Sequence, residues 1–196
     1  NTTTYHSNPI PRDWTYLYSN SPVAHAPHRI QGGDQFSYDN NGNMTVGLNG
    51  KTMAYDGENR PISVENTPSG IDTFYDYGPD GKRLRRLTQP STGDIEHLYL
   101  AEIEVKTPGT AGEVIYWYPH PRIKIDWVNG TQTVSYLHRD QLQSVLLETD
   151  SSGSLNWDRV YRPFGEYKEW LVTGQIDSDE DKGFIGERED KRDALR

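Results

Sequence analysis

Apolar and polar residues alternate with a period of two along much of this chain. Ala101-Glu102-Ile103-Glu104-Val105-Lys106 and Ile123-Lys124-Ile125-Asp126-Trp127 change character at every step, the pattern of a strand with one dry and one wet face. From Gln35 onward such runs are about five to seven residues long and are broken by Gly, Asn, Asp or Pro, as in serial hairpins. Asn129-Gly130 stands between two of them, the strongest short-range hairpin signal. Similar turns are expected at Asn49-Gly50, Asp56-Gly57, Asp80-Gly81 and Ser152-Gly153. Before Glu180 no segment keeps apolar residues at i, i+3, i+4, i+7 for long enough to make a helix. Glu187 to Leu195 has the spacing for two helical turns, weakened by the like-charged pair Glu189 and Asp193. The pattern predicts an all-β protein of repeated short antiparallel strands.

Four segments follow. Residues 1–34 are rich in Pro, His and Asn and are expected to be extended, because Pro9, Pro11 and Pro22 forbid a long helix. Residues 35–135 are repeated strands, 136–190 a further segment, and 191–196 a charged tail.

Composition narrows the core and the partners. Of 196 residues only 33% are hydrophobic, yet thirteen are Tyr and five Trp. Disordered chains are poor in such rings. Tyr and Trp bury flat area while keeping a polar edge, so the core should be shallow and aromatic. A net charge of -9 opposes a nucleic-acid partner, which needs a positive surface. Without cysteine there is no disulfide framework. No run is long and apolar enough for a membrane span, and the N-terminus lacks a signal peptide, so the polypeptide is expected to start mid-protein.

The most informative feature is a repeat. Tyr38-Asp39, Tyr55-Asp56 and Tyr75-Asp76 lie 17 and 20 residues apart, each followed by a turn rich in Gly and Asn: Asn40-Asn41-Gly42-Asn43, Gly57-Glu58-Asn59 and Gly78-Pro79-Asp80-Gly81. The Asp is expected to accept hydrogen bonds from turn backbone, Gly or Asn to take the positive φ, and Tyr to lie over the neighbouring strand. One hairpin cannot bury that ring, so the motif implies a continuing sheet.

These residues resemble the YD repeats of Rhs proteins, of the C components of insecticidal toxin complexes and of teneurins. Downstream, Asp140, Leu142, Ser144 and Val145 resemble the Asp-His-Leu-Gly-Ser-Val opening of the Rhs-associated core. Tyr161-Arg162 with Pro163, Phe164, Gly165 and Glu166 is similar to its Tyr-Asp-Pro-Phe-Gly-Glu, and Gly183-Phe184-Ile185-Gly186-Glu187 to its Phe-Thr-Gly-Glu. Gln141, Gln143 and Arg162 depart from the usual His, Gly and Asp, and nothing here matches the autoproteolytic segment of some members. The resemblance, over roughly 21–190, implies a coiling sheet that forms part of a non-catalytic shell enclosing a toxin. Its partners would be the remainder of a larger Rhs-type polypeptide and the cargo, and it implies a secreted or delivered bacterial protein. Sheet edges left open favour self-association.

Candidate chemistry is sparse. His138-Arg139-Asp140 has the letters of a kinase catalytic loop without its other parts. Asp39, Asn41 and Asn43 have calcium-loop spacing, but Met44 stands where that loop needs Gly. Asp177 to Asp181 is an acidic loop, and His25 and His28 lack a second ligand pair. No metal or cofactor site and no catalytic set is expected. Asp126 beside Trp127, or Asp158 beside Trp157, are the only carboxylates to nominate for glycoside hydrolysis, and a core Trp with a wet-face Asp explains both. Tyr116-Trp117-Tyr118 is a candidate sugar-stacking strand, with Tyr116 and Trp117 its leading residues; a carbohydrate-binding or adhesion module is the alternative reading.

Overall fold

The computed structural model describes residues 15–18, 26–30, 33, 35–66, 70–90, 93–161, 167–170 (backbone) and 182–187. Most of the opening segment, the acidic loop at 177–181, the candidate helix beyond Glu187 and the candidates Pro163, Phe164, Gly165 and Glu166 lie outside these residues.

The described residues form sixteen strands: β1 Tyr16–Leu17, β2 Arg29–Ile30, β3 Ser37–Tyr38, β4 Met44–Val46, β5 Thr52–Tyr55, β6 Pro61–Asn66, β7 Ile71–Tyr77, β8 Arg83–Gln89, β9 Ile95–Leu100, β10 Ile103–Lys106, β11 Val114–His120, β12 Ile123–Val128, β13 Thr131–Arg139, β14 Val145–Asp150, β15 Leu155–Tyr161 and β16 Tyr167–Trp170. Strands β3 to β16 form one 14-stranded antiparallel sheet in which every strand pairs with its neighbours in sequence, and the sheet does not close. The ribbon β1–β2 meets the segment that leads into this sheet at a bridge between Arg29 and Gln35. The fold class is all-β, a continuous meander, as the alternation predicts. The runs are short because Gly and Asn interrupt them before a helix period can be established.

Two boundaries differ from expectation. Ala101 and Glu102 are a turn, not the start of a strand: Leu100 pairs directly with Ile103, and Ala101 has φ 55°. The alternation runs through the turn because a two-residue connection preserves the parity of the pattern. At Asp56-Gly57 the positive φ belongs to Asn59, at 62°, one of the few residues besides Gly that tolerate it.

The sheet has unlike faces. On one, cross-strand partners run Thr73–Thr88, Tyr75–Arg86, Arg86–His97, Tyr99–Glu104, Glu104–Tyr116, Lys124–Ser135, Leu137–Glu148 and Glu148–Trp157. Nearly all of these side chains are buried, including Arg86, His97, Glu104, Lys124 and Glu148. Among the described residues the buried apolar side chains of this face gather in two clusters, Val64–Tyr75 and Tyr116–Tyr118–Leu137–Val145–Trp157, with Tyr99 between them. On the other face stand Leu100, Ile103, Trp117 and Val160, all exposed. A buried Val or Leu contributes roughly 1.5–3 kcal/mol, so the two clusters anchor the sheet and the charged stretch between them must be held by pairing.

Candidate functional site

The repeat is a single turn geometry reused. Asp39 Oδ1 accepts hydrogen bonds from the backbone N–H groups of Asn41 and Asn43, each 2.9 Å, and Asn43 Nδ2 donates to Asp39 Oδ2 at 2.9 Å. Gly42, at φ 87°, returns its N–H to the Asp39 carbonyl. Asp56 holds Glu58 and Arg60 N–H in the same way, and Arg60 Nε donates to its other oxygen at 2.7 Å. These bonds favour the ionised carboxylates. The Asn43 side chain holds the Asp39 pKa below its usual value, and the Arg60 backbone N–H that of Asp56.

The geometry recurs where no Tyr-Asp pair announces it. Asp140 Oδ1 accepts from Leu142 and Ser144 N–H, and Asp150 Oδ1 from Ser152 and Ser154 N–H. The left-handed place is taken by Gln143 at φ 71° and Gly153 at 85°. A strand irregularity adjoins each turn, with one extra residue on the outgoing strand, as between Tyr38 and Met44 or Arg139 and Val145. The positive-φ residue and the bulge together restore the sheet's right-handed twist.

The third dyad is offset. Tyr75 and Asp76 lie inside β7, and the turn that follows runs Gly78 to Lys82, with Gly78 in the place of the Asp and Gly81 at φ 77°. The tyrosine equivalent to Tyr38 and Tyr55 is Tyr77. Tyr38 Oη donates to the Pro27 carbonyl at 2.7 Å, Tyr55 Oη to Met44 at 2.9 Å and Tyr77 Oη to Pro61 at 2.8 Å. Met44 and Pro61 each follow a turn directly, so these hydroxyls tie one hairpin to the hairpin before it. Tyr75 is core instead, with the Arg83 guanidinium 4.5 Å from its ring centre, and Asp76 is an exposed partner of Arg85. Sequence letters could not separate Tyr75 from Tyr77; the positive φ that Gly81 takes was the signal that could have placed the turn.

The buried charges form a linked set. Lys124 Nζ lies 2.7 Å from Glu148 Oε2 and 3.7 Å from Asp126 Oδ2. Trp157 Nε1 donates to Glu148 Oε2 at 3.1 Å and Asn156 Nδ2 to Oε1 at 3.0 Å. Burial alone would push Glu148 up, but the Lys124 charge and the hydrogen bonds from Lys124 and Asn156 outweigh it and hold the carboxyl below its usual value. Such a group stays ionised and cannot serve as a proton donor near neutrality. Asp158, on the opposite face from Trp157, is raised by burial. Asp126 faces the buried side opposite Tyr116, while Trp127 faces out, the reverse of a core Trp with a wet-face Asp.

The core-like residues come together. Ser144 and Val145 are fully buried. The turn Gly183–Glu187 returns onto them: Val145 N–H donates to the Gly183 carbonyl at 3.1 Å, and Ile185 N–H to Ser144 Oγ at 3.0 Å. Lys182 Nζ sits 3.3 Å from the Tyr118 ring centre, and Phe184 packs against Tyr161. This clasp joins β11, β14 and β15 across 41 residues of chain. Leu142 stays exposed on the turn.

The sugar-stacking pair is split. Tyr116 is buried, and Trp117, 39% exposed, stands on the other face because neighbours in a strand point apart. Trp117 stacks instead on Trp127, with ring centres 6.1 Å apart and 27° between planes. The two rings line a pocket of about 640 Å³ together with Ile103, Ile115, part of the 107–113 loop and the Asn129-Gly130 turn. Trp127 was missed as a partner because its diagonal relation to Trp117 depends on the β11–β12 register.

Among the described residues no group of three His, Cys, Asp or Glu is placed to hold a metal ion, and no helix is long and apolar enough to cross a membrane.

No family model and no curated protein matches the chain. Solved structures do. The TcdB2-TccC3 crystal structure superposes with a TM-score of 0.67 at 19% identity, covering 80% of this chain and 9% of that one. A Photorhabdus luminescens Tc holotoxin pore gives 0.66 at 18% identity over 77% of this chain and 8% of that one. TcdB2-TccC3 without its hypervariable C-terminal region gives 0.62 at 18% over 78% and 8%. The chain thus spans less than a tenth of these neighbours, and what it shares with that short stretch of a Tc toxin complex is the fold.

Proposed function

We propose that this chain is a non-catalytic structural segment of a YD-repeat shell of the Rhs type, one that encloses a toxin for delivery from a bacterium. The observation that carries the reading is the buried face of the sheet. An ordinary single-domain core rarely buries charged side chains, yet here Arg86, Glu104, Lys124, Glu148 and Arg159 are all buried among Tyr and Thr. A sheet whose inner face is filled by paired charged and aromatic side chains needs no closed apolar core, so it can extend hairpin by hairpin as a wall. The unclosed meander is the second support, since each hairpin adds to the sheet without needing a closing partner. The partners would be the rest of the longer polypeptide and its cargo.

The test is protease protection in the whole reading frame that contains this segment. The part downstream of the repeats should resist digestion while the shell is intact and become sensitive once the shell is opened by denaturant. Equal digestion of that part with and without the shell would overturn the reading.

A further inference from the structure

The pocket between Trp117 and Trp127 lies on the outward face, away from the buried charged wall, and the shell reading makes no use of it. We propose that it is a binding site for a neutral saccharide of one or two pyranose rings.

Three observations define the ligand. First, the cavity is preformed. Its loop is held by Thr107 Oγ1 donating to the Gly112 carbonyl at 2.7 Å, Gly109 N–H to Glu113 Oε2 at 2.7 Å, and Thr110 Oγ1 to the Thr107 carbonyl at 2.9 Å. Little ordering cost therefore remains for a ligand to meet. Secondly, about 640 Å³ falls within the usual size of small-ligand sites, too small for a folded partner's surface. Thirdly, flat indole rings are combined with polar groups. Trp117 and Trp127 offer π faces to the C–H edges of a sugar ring, while Glu113 and Asn129 line the same cavity and suit hydroxyls. A purely apolar guest would strip water from the Glu113 carboxylate without replacing it. An anionic guest would meet that carboxylate on a chain of net charge -9. Ring C–H groups with uncharged hydroxyls satisfy both demands.

The intact chain should be titrated with chitotriose, cellotriose and mannotriose, with sialyllactose as the anionic control, following tryptophan fluorescence and the indole N–H signals in NMR spectra. At least one neutral probe should give a saturable change in the Trp117 and Trp127 signals, and sialyllactose none. Trp117→Ala should weaken that binding by about tenfold or more, a loss of roughly 1.4 kcal/mol, and Glu113→Gln should weaken it less. Leu84→Ala, on a distant strand, should leave it unchanged. If Trp117→Ala proves unfolded by far-UV circular dichroism, Trp127→Phe supplies the same comparison. The proposal fails if no neutral probe shifts these signals, if binding survives in a folded Trp117→Ala variant, or if only the apolar dye anilinonaphthalene sulfonate occupies the pocket. None of these outcomes bears on protease protection by the shell.

Discussion

The smallest unit of this molecule is a carboxylate with two backbone N–H groups. Asp140 holds Leu142 and Ser144 that way, whereas Asp76 only meets an arginine at the surface. Asp140→Ala should lower stability by about 1–2 kcal/mol because two turn donors lose their acceptor. Asp76→Ala should change it by less than about 0.5 kcal/mol; urea unfolding midpoints of the two variants check the contrast. The same carboxylates set a pH dependence. Asp39, Asp56 and Asp150 have folded pKa values below their ordinary ones. Their contribution is complete above the unfolded pKa of about 4 and disappears as pH falls through the lower folded values. Urea midpoints should therefore fall between pH 5 and pH 2.5, and an Asp39→Asn, Asp56→Asn, Asp150→Asn triple variant should show a shallower decline.

At the scale of elements, the hairpins were legible where turn chemistry is explicit. Asn129 and Gly130 both take positive φ, at 50° and 77°, and Gly130→Ala should cost about 1 kcal/mol, measurable as a drop in the thermal midpoint. Strand existence followed from alternation, because the wet and dry faces differ along β11, β12 and β13. The place of the third motif turn did not, since Tyr75, Asp76 and Tyr77 offer two readings, and Gly81 with the bulge in β7–β8 decides between them. Nor was the clasp legible as a contact: the Gly183–Glu187 segment matches a family pattern, but its seat on Ser144 and Tyr118 lies far off in sequence. Ser144→Ala should speed hydrogen exchange at the Ile185 amide while leaving the amides of β5 and β6 unaffected.

For the whole molecule, the inverted character of the sheet was only partly foreseeable. A composition with 33% hydrophobic residues implied a thin, wet core, but which charges are buried depends on the coil of the sheet. Lys124 and Glu148 sit on strands whose sequences alternate normally, so their pairing emerges only from the register. Lys124→Met should destabilise the chain by about 3 kcal/mol, because it leaves Glu148 buried without its cation, and adding Glu148→Leu should recover much of that loss. A double-mutant cycle in urea measures both.

The neighbour-to-neighbour order of the strands gives the molecule a mechanical grain. Among the described residues the strand pairing of each hairpin from β3 to β10 runs to those flanking it, so a pull on the N-terminal side meets a row of small, similar barriers and peels the sheet one hairpin at a time. On the other side the clasp staples β11, β14 and β15 together, and that end must yield as a block. Extension from the two ends would therefore leave different force traces, a sawtooth from one and a single large rupture from the other.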